Sequence, residues 1–101
     1  MGERYTSFRD FYPFYLREHR NLACRRLHFI GSSLVLLTLV FALTTGRWWA
    51  LWFMPLFGYG CAWIGHFFFE KNRPATFIHP LYSLMGDWVM YRDILIGRIR
   101  F

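Results

Sequence analysis

Two long runs without a charged side chain constrain this chain most: residues 27–45 (LHFIGSSLVLLTLVFALTT) and residues 48–69 (WWALWFMPLFGYGCAWIGHFFF). As α-helices rising 1.5 Å per residue they would be about 28 and 33 Å long, close to the ~30 Å hydrocarbon core of a bilayer. Only Gly46 and Arg47 separate them. Glycine is a natural helix stop, and Trp48 and Trp49 suit a membrane–water interface. Pro55 is expected to kink the second helix, which membrane helices tolerate. Gly58 with Ala62, and Cys61 with Gly65, give the small-xxx-small spacing of close helix contacts, with Gly31, Ser32 and Ser33 as the facing surface. The same spacing allows a homo-oligomer. The two runs predict a two-helix transmembrane hairpin.

Length alone makes residues 1–101 a single domain. Hydrophobic residues at 55% and aromatics at 23% exceed what so small a soluble domain can hide inside. The flanks carry helical stripes. Residues 5–19 place Phe8, Phe11, Tyr12, Tyr15 and Leu16 at spacings of three and four, and residues 81–96 do the same with Leu81, Leu84, Met85, Trp88 and Val89. Both segments are expected to lie in the interface. The expected fold is therefore an all-α membrane protein: a two-helix transmembrane hairpin with amphipathic interfacial helices at both ends.

The net charge of +6 is unevenly spread. Arg4, Arg9, Arg17, Arg20, Arg25 and Arg26 precede the first run, Lys71, Arg73, Arg92, Arg98 and Arg100 follow the second, and only Arg47 lies between. Loops rich in Lys and Arg stay in the cytoplasm. Both termini are expected there, in a bacterial inner membrane or, in a eukaryote, the endoplasmic reticulum. Charges flanking membrane spans suit anionic headgroups or a carboxylate substrate, so the bilayer is the expected partner and nucleic acid is not. Cys24 and Cys61 form no CxxC pair, and a disulfide is not expected in this setting. Nor is a cleavable signal peptide, because the first apolar stretch starts only near residue 27. Met1-Gly2-Glu3-Arg4-Tyr5-Thr6 fits the loose myristoylation pattern, an anchor that a membrane-spanning chain does not need.

The four histidines, at 19, 28, 66 and 79, are nested about the middle of the chain. Folding back at Gly46 returns all of them to one side. His66 is embedded in apolar sequence, where an ionisable group is costly and usually purposeful, and His28 is about equally far from the turn. Singly, His28 could be a snorkelling residue, and His19 and His79 could be surface histidines. Together they predict a metal site of His19, His28, His66 and His79. Arg20, Arg25 and Arg26 are expected to depress the His19 pKa and keep it neutral. Glu70, one turn after His66, could orient a ligand, act as a base, or pair with Lys71 or Arg73. Cys24 could add a thiolate. Imidazole suits Zn, Cu, Fe or Ni alike. The HxxxH and HxxHH clusters of membrane di-iron enzymes are absent, and four imidazoles suffice for one ion. A bis-histidine haem between His28 and His66 stays open.

Residues 65–75, GHFFFEKNRPA, have the form GHxxFEKxRPA, and His19-x-Asn21 precedes Leu27-His28-Phe29-Ile30. In these motifs, and over essentially its whole length, the chain resembles the small membrane proteins similar to the fungal 2-hydroxy fatty acid dioxygenase of phytosphingosine breakdown. The resemblance implies Fe(II)-dependent α-oxidation, in which a 2-hydroxy fatty acid loses one carbon with O2 and without 2-oxoglutarate. It implies iron held by His19, His28 and His66; His79 rests on position alone. The fungal member has more hydrophobic sequence than the two runs seen here. For such a substrate, Arg26 or Arg73 is expected to steady the carboxylate and Glu70 to serve as the catalytic carboxylate. The acyl tail is expected beside Phe67, Phe68, Phe69 and the 81–96 helix. The residues by themselves leave open a non-catalytic membrane protein that binds metal, haem or lipid.

Overall fold

The computed structural model describes residues 4–101. Met1, Gly2 and Glu3, and with them the start of the myristoylation pattern, lie outside the described residues. The helices are α1 (Phe8–Arg17), α2 (Leu22–Thr45), α3 (Phe53–Ile64) and α4 (Pro80–Leu95).

Asn21 sets where α2 begins. Its side-chain oxygen accepts the backbone N–H of Ala23 at 2.9 Å and of Cys24 at 3.2 Å, satisfying donors that a helix start leaves unpaired. The helix therefore starts at Leu22, ahead of the apolar run. Gly46 ends it at φ 70°, a left-handed conformation that glycine adopts without steric cost. Its 24 residues span about 36 Å. Only 22% of its most apolar stretch is buried within the protein, and Leu37, Val40 and Leu43 face outward. Apolar surface costs about 25 cal/mol per Å² in water, a cost that hydrocarbon removes. This supports an integral membrane location, with α2 the described helix long and apolar enough to cross.

The second apolar run does not form the matching span. Trp48–Trp52 make a 3₁₀ turn, α3 has 12 residues, and Gly65–Glu70 make a π-helical turn. Among the described residues α2 alone is long and apolar enough to cross a membrane, which overturns the two-helix transmembrane hairpin. The interruptions have local causes. Pro55 has no N–H to bond back to Leu51, and the π turn inserts an i→i+5 step of the kind that recurs at functional sites. Even so, α3 lies antiparallel against α2. A Cβ on Gly31 would stand 2.9 Å from Cys61 Cβ, and one on Gly65 would stand 2.9 Å from Cys24 Sγ. Small residues let the backbones meet.

The terminal helices are also corrected. They are not two separate amphipathic helices in the interface, because α1 packs on α4. Phe11, Tyr15, Met90 and Ile94 form one buried cluster with Ala75. The Tyr12 hydroxyl donates to Asp93 Oδ2 at 2.8 Å, and Arg92 pairs with the other Asp93 oxygen at 2.9 Å. The inward stripe of α4 is Ser83, Gly86, Met90, Asp93 and Ile94, while Leu81, Leu84, Met85 and Leu95 are exposed. The small and polar positions face in, and much of the predicted apolar stripe faces out.

Candidate metal centre

Three elements bring three imidazoles together. His19 ends the turn after α1, His28 lies in the first part of α2, and His66 is in the π turn. They are 1%, 6% and 2% exposed, so their polar nitrogens must be satisfied inside the protein. Their ring centroids are 4.3, 4.4 and 4.9 Å apart, and one nitrogen from each falls within 4.8 Å of the others. The π turn closes with Lys71 at φ 63°. The Asn72 N–H then donates to the His66 carbonyl at 3.0 Å, which folds the Asn72 side chain beside the His66 ring.

The outer nitrogens fix the tautomers. His19 Nδ1 lies 2.6 Å from the Tyr15 carbonyl oxygen, and His28 Nδ1 lies 2.8 Å from that of Cys24. A carbonyl only accepts, so both Nδ1 atoms carry the proton. His66 Nδ1 is 2.8 Å from Asn72 Oδ1. The Asn72 amide nitrogen donates to the Glu18 carbonyl at 3.2 Å and to Glu18 Oε1 at 3.1 Å, so the amide orientation is set and His66 Nδ1 is again the donor. Each neutral ring then presents a lone pair at Nε2. His19 Nε2 stands 3.0 Å from His28 Nε2 and 2.9 Å from His66 Nε2. Three lone pairs converge with no proton between them, which is repulsive unless a cation sits there.

The donor set fits a transition metal. Imidazole nitrogen is a ligand for Fe, Zn, Cu and Ni, and three protein ligands leave coordination positions for reactants. With metal–nitrogen bonds of about 2.1 Å, two ligands at right angles stand about 3 Å apart, matching the two Nε2–Nε2 separations from His19. Burial drives the His19 pKa well below the ordinary value, with His28 and His66 adding to the effect and Arg25 contributing least. Burial also lowers His66, opposed by Asn72 and Glu70. Neutral rings are what ligation requires. Of Arg20, Arg25 and Arg26, expected to keep His19 neutral, Arg25 acts with that sign, and burial is the larger cause.

The other residues named from sequence lie elsewhere. His79 stands apart from the trio: its Nε2 accepts the Tyr5 N–H at 2.9 Å. Glu70 accepts the backbone N–H of Asn21, and Asn21 Nδ2 donates to the Phe69 carbonyl at 3.3 Å. These bonds tie the segment after His19 to the end of the π turn. Cys24 Sγ is 3.8 Å from His28 Nδ1, on the ring edge away from the convergence point. Arg26 donates to the Phe101 carbonyl at 3.1 Å and covers the Phe101 ring at 5.2 Å. Arg73 lies over Phe77 at 5.2 Å. His19 stands against both His28 and His66, leaving no slot between them for a haem plane.

Beside His28 a cavity of about 230 Å³ runs between α2, α3 and α4. Ser32 and Asp87 join His28 in lining it, with Val35, Met54 and Trp88 among its apolar walls. Phe67, Phe68 and Phe69 do not line it; they are 46%, 69% and 46% exposed. Sequence reasoning missed Tyr15, Glu18, Asn72 and Asp87 as parts of the centre. Asp87 had a signal, a carboxylate in an otherwise apolar stretch. Asn72 had none, because its place depends on the π turn.

A family model described as "2-hydroxy-palmitic acid dioxygenase Mpo1-like" matches residues 5–99. No curated protein and no solved structure matches the chain.

Proposed function

Because this chain belongs to the Mpo1-like family of 2-hydroxy-palmitic acid dioxygenases, we propose that it is a membrane-bound, Fe(II)-dependent dioxygenase that shortens 2-hydroxy fatty acids by one carbon through α-oxidation. The observation that carries this reading is the convergence of three Nε2 lone pairs whose Nδ1 protons are all engaged elsewhere. His19, His28 and His66 hold the iron. When bound, the iron supplies Lewis acidity toward substrate oxygens and the redox centre for O2.

The chain's own residues do the rest. The Tyr15 and Cys24 carbonyls and the Asn72 amide fix each ring's tautomer and direction, which raises ligand basicity. Glu70 is a positioning residue: its bond to the Asn21 N–H holds the His19 turn against the His66 turn. The cavity takes the acyl chain, with substrate oxygens at the His28, Ser32 and Asp87 end and methylenes toward Val35 and Met54. His79 braces Tyr5 rather than holding metal. Arg26 and Arg73 act at the surface. We place the histidine-bearing end on the cytoplasmic side, because α1, α4 and their arginines gather there and basic segments favour that side.

The test is turnover by purified protein in detergent. It consumes O2 with 2-hydroxypalmitate and releases a product one carbon shorter by mass spectrometry, and His66→Ala loses both. Full activity in His66→Ala contradicts the reading.

A further inference from the structure

Asp87 is a carboxylate on the wall of an otherwise mostly apolar cavity, with His28 in the same lining. Its position is built rather than incidental. Gly86 lets α1 come close, since a Cβ there would stand 2.9 Å from the Tyr15 ring. Tyr15, fully buried, donates its hydroxyl to Asp87 Oδ1 and stacks on His19 at 4.0 Å. Thus the same tyrosine orients Asp87 through its hydroxyl and His19 through its carbonyl. Burial pushes the Asp87 carboxyl up to about 6, with the Tyr15 hydroxyl holding it down. A carboxylate kept in such a place at that cost invites a partner. Its second oxygen, Oδ2, makes no hydrogen bond among the described residues.

What would satisfy Oδ2 is a donor brought by the ligand at the polar end of the cavity. A plain fatty acid has none at C2; a 2-hydroxy acid has its hydroxyl. We infer that Asp87 Oδ2 accepts the hydrogen of the substrate's 2-hydroxyl, and that Asp87, aligned by Tyr15, is the residue that selects 2-hydroxy acids over unsubstituted ones. The inference rests on the activity proposed above. Sites built to hydrogen-bond a substrate hydroxyl discriminate strongly against the analogue lacking it.

The probes are 2-hydroxypalmitate and palmitate, titrated into the iron-loaded protein. Quenching of tryptophan fluorescence reports occupancy, since Trp88 lines the cavity. Asp87→Asn keeps the size and the Tyr15 bond but turns a donor toward the cavity. It is expected to weaken 2-hydroxypalmitate binding about 10- to 100-fold, to change palmitate binding less than about threefold, and to leave iron content unchanged. Tyr15→Phe, which keeps the carboxylate but frees it to turn, is expected to lose a smaller part of the preference. It stands as the test if Asp87→Asn does not fold. Retention of the full preference in the variant tested overturns the role of Asp87 and leaves the activity standing. Equal weakening of both acids also overturns it, since that is a packing defect. A wild-type protein that turns over no 2-hydroxy acid overturns the activity and this inference together.

Discussion

His79 is buried almost as deeply as His28, 7% against 6% exposed, yet the two rings face opposite situations. His79 packs among the rings of Tyr5, Phe11 and Tyr82, at 5.6, 5.3 and 6.0 Å. Its Nε2 accepts the Tyr5 N–H, so the proton sits on Nδ1, which is buried and finds no acceptor among the described residues. In His19, His28 and His66 the arrangement is reversed: Nδ1 is occupied by an oxygen, and Nε2 is left with a lone pair aimed at its neighbours. Burial does not separate a ligand histidine from a structural one. The partner of the second ring nitrogen does, because it decides which nitrogen keeps its lone pair.

The sharpest break between the two regions comes from removing a ring. Alanine at His19, His28 or His66 is expected to abolish iron binding and turnover, read by metal analysis and O2 uptake. Replacing the outer partner comes next. Asn72→Leu leaves His66 in place but frees its Nδ1, and iron affinity is expected to fall about 10- to 100-fold, measured by chelator competition, with helix content by circular dichroism unchanged. His79→Phe sharpens the contrast from the other side. Iron content and activity should hold while stability drops by about 1 kcal/mol for the lost acceptor of the Tyr5 N–H, and loss of iron here would erase the distinction.

The smallest effect concerns pH and the α1–α4 contact. Burial raises the Asp93 carboxyl, but the Tyr12 hydroxyl and Arg92 outweigh it and leave it below the ordinary range. A carboxyl lowered by folding stabilises the fold above its unfolded pKa of about 3.9, and that stabilisation is lost as pH falls through the lower folded value. Tyr12→Phe removes the largest lowering contact. Acid unfolding should therefore begin at higher pH, with iron content near neutrality unchanged.

The trio was legible because its histidines sit in recognisable motifs and because a turn at Gly46 brings His28 and His66 to the same level. What stayed hidden was set by backbone hydrogen bonding rather than by composition. Hydropathy counts apolar residues, and residues 48–69 have enough of them, but it does not register that Pro55 lacks a donor or that Gly65–Glu70 winds as a π turn. The same turn, with Lys71 in the left-handed region, carries Asn72 to His66, so no spacing rule pointed there. In α4 the helical period was visible but the inward face was not. Where the surroundings include lipid, the apolar side need not be the inside, and Ser83, Gly86 and Asp93 took that place.

The central claim is that three converging Nε2 atoms hold iron. Metal analysis of untagged protein, purified in detergent without added metal and compared with His28→Ala and His79→Phe, tests it most directly. About one iron per chain is expected in the wild type and in His79→Phe, and none in His28→Ala. Iron retained at full stoichiometry in His28→Ala, or a wild-type protein that takes up no iron when Fe(II) is supplied, would contradict it.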